Sequence, residues 1–194
     1  MNTDSNKSKS PTVNLGQYRV TGYSVGAGPI RRGLWYITNV LMFLNPLFPF
    51  YKTKRWVLRA FGARIGNGVV IKPRVNIKHP WRLRIGENSW IGEGVWIDNL
   101  ADTSIGNNVC ISQDAYLLTG NHDYKSVAFT LITSPIQIED GVWIGARTTV
   151  CPGVRVGRNA VLAVGSILTR DAEPDGIYAG NPAQRVRNRT LNSG

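Results

Sequence analysis

Histidine and cysteine are scarce in this chain. Among 194 residues there are two of each: His79, His122, Cys110 and Cys151. The cysteines stand in no CxxC or other metal spacing, so a disulfide framework is not expected. Two histidines without a suitably spaced cysteine cannot rebuild a three-ligand zinc site, so no structural or catalytic metal is expected. Long apolar runs are missing as well. A spanning helix needs ~20 apolar residues. The most apolar stretch, Leu34 to Leu44, is eleven residues long, and Asn45-Pro46 and Pro49 then interrupt it. The first twenty residues are polar and hold no signal peptide, which makes the cytoplasm the expected compartment. Acid is thin: 12 Asp or Glu against 23 Lys or Arg, a net charge of +11. Lys52 to Arg84 holds ten basic residues and no acid. Such an excess suits nucleic acid, anionic lipid or a phosphorylated small molecule. No recognition helix or aromatic RNA-binding motif is present, which argues against nucleic acid.

What the chain does have is a period of six. From Ile138 to Arg170, aliphatic residues recur as Ile138, Ile144, Val150, Val156, Leu162 and Leu168. Small or β-branched residues follow four places later, at Val142, Thr148, Val154, Ala160 and Ser166. Glycine often comes directly after the aliphatic, as at Gly145 and Gly157. Six is neither the helical period of 3.6 nor the strand period of two. It marks a solenoid repeat. A chain that turns every six residues closes a three-sided coil after eighteen. Each side then points one aliphatic side chain inward, and stacked coils line these up at the strand spacing of ~4.8 Å.

The same phase runs backwards through Ile65-Ile71-Ile77, Ile85-Ile91-Ile97 and Ile105-Ile111-Leu117. Between these coils the step is eight, which places two extra residues at one corner. From Leu117 to Ile138 it is twenty-one, so an excursion of about 118–135 leaves the coil. The expected fold class is all-β, a parallel β-helix. Four segments follow: a flexible arm over 1–32, a helical apolar and basic segment over 33–61, the β-helix over 62–170 and a tail over 171–194. Arg31, Arg32, Lys52, Lys54 and Arg55 flank the apolar segment. That composition suits a helix packed on the first coil and also a peripheral membrane contact.

The stretches FGARIG, KHPWRLRIG, TGNHDY, VWIG and GNPAQRVR resemble the hexapeptide-repeat acyltransferases, closest to the colanic-acid-biosynthesis type. The resemblance covers about Leu34 to Arg189. It implies a left-handed β-helix, a homotrimer, and acetyl-CoA as co-substrate without a metal. It also implies a sugar or oligosaccharide acceptor; a lipid-linked one, met at the inner face of the cell membrane, would account for the basic, aromatic N-terminal region. His122, in TGNHDY, resembles the family's general base. The residue type suits the task, because a neutral imidazole can take a proton from a hydroxyl as it attacks a thioester. Asp114, Asp123 or a backbone carbonyl would orient it. The N–H of Ala146 matches the oxyanion donor. Trp143, Ala163, Val164, Gly165, Ser166, Thr169, Arg170, Arg185 and Arg187 match positions along the coenzyme path. Asp98, Asn99 and Tyr124, with Trp96 and Tyr116, are the candidates for acceptor contact, and His79 reads as a structural residue. The alternatives are the same chemistry on another acceptor, such as an amino-sugar nitrogen or serine, and a non-catalytic scaffold.

Overall fold

The computed structural model describes residues 10–192. Five coils stack into a three-sided prism, and part of a sixth follows. On the first face, Ile65, Ile85, Ile105, Ile138 and Val156 stand in register through parallel pairings. The second face aligns Ile71, Ile91, Ile111, Ile144 and Leu162. The third aligns Ile77, Ile97, Leu117, Val150 and Leu168. All fifteen in-phase aliphatics are buried. On the first and second faces, the residue four places after each is buried too, as at Val95, Ala115, Thr148 and Ser166, where a small side chain lets the corner close.

The corners explain the other repeat positions. Three places after the inward aliphatic, the backbone enters the left-handed region, at Asn88 (φ 54), Asn108 (φ 54), Gly141 (φ 71) and Asn159 (φ 58). Asn and Gly enter that region at least cost, so they collect between the first and second faces. The corner between the third and first faces is the irregular one. It holds the short 3-10 turn Pro80–Arg82 in the first coil and the whole excursion before the fourth. That excursion is a β-hairpin and not a loop, with Gly120–His122 antiparallel to Leu131–Thr133.

A stack of coils leaves a row of unpaired backbone groups at each end. Carbonyls of Ile85, Ser89 and Ile97 accept hydrogen bonds from the first coil. Their counterparts in that first coil, at Ile65, Val69 and Ile77, have no coil beneath them. Helix α1 (Pro29–Thr38), a π-helical turn over Asn39–Phe43, and helix α2 (Tyr51–Ala60) cover this end. Arg59 donates to the Ile65 carbonyl at 3.0 Å, Arg55 to Val69 at 2.7 Å and the Trp35 indole to Ile77 at 2.9 Å. Part of the basic run over 52–59 is therefore a cap for an open sheet edge. Lys54 is fully buried there, with its ammonium 3.1 Å from the Lys72 carbonyl, and burial lowers its pKa to about 8.

At the other end, Gly176–Gly180 pairs with Val161–Leu162, and Ala183–Asn188 folds back on it antiparallel. The tail is thus a two-stranded cap. The arm before α1 lies on its own chain. Asn14 N–H donates to the Val127 carbonyl at 2.8 Å, and the Trp81 indole donates to Val25 at 2.7 Å.

Candidate functional site

His122 ends the first strand of the excursion hairpin, opposite Leu131. Its Nδ1 lies 3.0 Å from the Phe129 carbonyl oxygen. A carbonyl only accepts, so Nδ1 carries a proton, and in the neutral ring the lone pair lies on Nε2. Phe129 holds a left-handed backbone (φ 48), which a bulky residue seldom adopts. Its ring lies 4.3 Å from the imidazole, at an interplanar angle of 8°. Tyr18, from the N-terminal arm, packs near the same imidazole at 5.9 Å. The imidazole is thus stacked on one aromatic ring and pinned through one nitrogen. Neither candidate acid contacts it. Asp123 accepts from the Lys125 N–H at 3.1 Å, and Asp114 stands 4.0 Å from Arg147.

A groove of about 630 Å³ runs along the second face and its edge with the third. It brings together Trp143, Ala146, Ala163, Val164 and Arg187 from the sequence reading. Trp143 forms one wall, fixed by its indole donating to Ser112 Oγ at 3.0 Å. The N–H groups on either side of Ala146 are used: Gly145 donates to Leu162 and Arg147 to Gln113, both at 2.8 Å. Among the described residues, the N–H groups of Gln113, Ala146 and Val164 have no protein partner. These sit in consecutive coils, so the groove edge offers a row of spare donors. Ser112, Gln113 and Arg189 also line the groove and were missed. Ser112 and Gln113 occupy the same phase as Gly145 and Ala146 one coil later, so the repeat itself carried that signal. Arg189 carried none in the sequence. Here it donates to the carbonyls of Gly141 and Asn159.

Other candidates lie elsewhere. The Ser166 side chain is buried inside the coil, and Gly165 is the left-handed corner residue beside Val164. Thr169 and Arg170 are exposed where the chain leaves the third face. Arg185 is exposed and bonded to Asn188 at 2.8 Å. Tyr124 is exposed in the hairpin's connection, two residues past His122.

Asp98 ends the second coil's third-face strand, and Asn99 follows it. Asp98 pairs with Lys78 at 2.8 Å and accepts from the Tyr116 hydroxyl at 3.2 Å. Burial, followed by the Asp98 charge, pushes the Tyr116 hydroxyl up to about 12. Tyr116 stacks on Trp96 with centroids 4.8 Å apart. The Asn99 side chain is fully buried and clasps the His79 backbone from both sides, at 2.8 and 2.7 Å. Burial lowers His79 to about 4, in keeping with a structural role. A second cavity, about 430 Å³, opens between α1 and the third face, walled by Trp35, Tyr36, Trp81 and Trp96. Among the described residues, no group of three or more His, Cys, Asp or Glu side chains could hold a metal ion.

A groove edged by N–H donors on a parallel β-helix, with one imidazole held on a neighbouring edge, is an arrangement suited to acyl transfer. Comparison with known proteins agrees. Residues 135–170 match the hexapeptide repeat of succinyl-transferase. The "Putative colanic acid biosynthesis acetyltransferase WcaF" of Escherichia coli K12 is 35% identical over 175 residues, spanning 88% of this chain and 96% of that protein. A hexapeptide-repeat acetyltransferase from Vibrio cholerae, solved with acetyl-CoA, superposes with a TM-score of 0.72 at 26% identity. That match covers 84% of this chain and 87% of the other. A galactoside acetyltransferase solved with coenzyme A gives a TM-score of 0.74 at 25% identity, over 84% of this chain and 82% of that one. The chain belongs to the hexapeptide-repeat acetyltransferase family and is an acyltransferase.

Proposed function

We propose that this enzyme transfers the acetyl group of acetyl-CoA to a sugar hydroxyl of a colanic-acid-like exopolysaccharide or of its lipid-linked precursor. The observation that carries the chemistry is the pinned His122 ring, with Nδ1 bonded to Phe129 and Nε2 free. His122 Nε2 takes the hydroxyl proton as the sugar oxygen attacks the thioester carbonyl. The negative charge that forms on the carbonyl oxygen meets the Ala146 N–H. The C–S bond then breaks, the imidazolium returns its proton to the sulfur, and free coenzyme A leaves beside the acetyl ester. No covalent enzyme intermediate is required, because the thioester is already activated. The acceptor class rests on likeness to the colanic acid acetyltransferase. The exposed Trp96 of the stacked Trp96-Tyr116 pair offers a ring face for a sugar, and Asp98 fixes that pair through the Tyr116 hydroxyl.

The same reading includes a homotrimer working at the cytoplasmic face of the membrane. The hairpin of His122 springs from the edge between the third and first faces, whereas the groove follows the edge between the second and third. The whole third face separates them within one chain. A sister prism packed on that face supplies the missing half of each site.

The test is acetyl-CoA turnover against a panel of oligosaccharides, read as released thiol. His122→Ala is expected to lose about 10²- to 10⁴-fold in turnover while retaining coenzyme binding by calorimetry. Full turnover in that variant would remove His122 from the mechanism.

A further inference from the structure

Helix α1 and its π-helical turn bury one side, through Trp35, Asn39 and Phe43, against the first coil. The opposite side is also apolar, although it faces solvent. Ile30, Leu34, Ile37 and Leu41 recur every three or four residues with exposures of 79, 55, 55 and 60%. Leu47 and Trp56 extend this exposed surface across the connection and onto α2. An apolar stripe of this extent marks a docking surface. Two features identify the partner. First, the sequence contains no Asp or Glu between Ser5 and Gly86, while exposed Arg32, Lys52 and Arg59 flank the stripe. A second copy meeting this surface with its own would bring like charges together, whereas an anionic lipid surface complements them. Second, no helix among the described residues is long and apolar enough to cross a membrane. A two-sided helix with basic flanks and an exposed Trp56 lies in the headgroup region instead.

We infer that the outer face of α1, its π-helical turn and α2 form a docking surface for an anionic membrane. The cavity behind α1 shares Tyr36 and Val40 with this helix and reaches Trp96 on the third face. Docking here brings a lipid-linked acceptor to the same face that carries Trp96 and Tyr116. This rests on the proposed function only in saying where the acceptor is met.

The experiment is co-sedimentation with vesicles of phosphatidylcholine alone or mixed with phosphatidylglycerol, without acetyl-CoA. The full chain is expected to bind mixed vesicles at least about tenfold more tightly than neutral ones, and to release at high salt. The double variant Leu34→Glu/Ile37→Glu loses this binding, and Lys52→Glu weakens it. Both keep their mass by light scattering and their turnover on a soluble acceptor, since the altered side chains are exposed. Equal binding to both vesicle types, or binding that survives the double variant, overturns the proposal. A change in oligomeric mass in the double variant assigns the stripe to a second copy and overturns it equally. Membrane binding and acetyl transfer are read separately, so either can fail alone.

Discussion

At the scale of single residues, the question is what holds the His122 imidazole in place. In this hairpin no carboxylate does it. Phe129 does, through its carbonyl on Nδ1 and its ring against the imidazole face, while a strained backbone aims both. The two contributions separate by mutation. Phe129→Gly keeps the carbonyl and tolerates the positive φ, yet deletes the ring. It is expected to lower kcat about tenfold or more, since small misplacements of a reacting group are costly. The KM for acetyl-CoA, bound in a different place, stays near its wild-type value. Steady-state kinetics checks this, and Phe129→Tyr is expected to restore the rate. An unchanged kcat in the Gly variant would reduce the ring to packing.

At the scale of the element, the coil is held by how closely each turn sits on the next. The Gly145 position shows the limit. A β-carbon there would meet the Leu162 carbonyl oxygen at 2.5 Å and the Val164 nitrogen at 2.8 Å. Both are backbone atoms of the neighbouring coil, so relief requires the coils to part. Gly145→Ala is therefore expected to destabilise the fold by about 1–3 kcal/mol. It should also weaken coenzyme binding, because Ala146 and Val164 border the same gap. Denaturant unfolding and calorimetry would measure the two effects. Capping is the other constraint on this element. Arg55 and Arg59 bond carbonyls that further coils would otherwise cover, so local charge has a structural use before any partner is considered.

At the scale of the whole molecule, the prism separates its chemical parts. His122 and the groove occupy different edges, and the proposed function has a second copy bridge them. A mixing experiment addresses this directly. His122→Ala and Ala163→Trp subunits, each inactive alone, are co-refolded in equal amounts. If each site draws its base from one subunit and its groove from the next, activity returns to about a quarter of the wild-type value. Continued inactivity of the mixture would place both parts in one chain.

The sequence by itself determined the coil. Fifteen aliphatics in phase require a three-sided coil, because a helix or a flat sheet buries polar neighbours and breaks the ladders; even the corner with extra residues and the excursion were legible in the spacing. The family resemblance singled out His122, and repeat phase fixes which coil residues share an edge, so Trp143, Ala146, Ala163 and Val164 line one groove. Contacts between residues remote in phase were decided only by the tertiary structure. The Phe129 carbonyl on His122, the Tyr18 ring beside it and the Arg59 cap under Ile65 depend on how non-repeating segments fold back. No period relates those segments to the coil, so packing and hydrogen-bond satisfaction alone set where they lie. For the same reason Asn99 was read as an acceptor contact, whereas its amide closes the corner at His79.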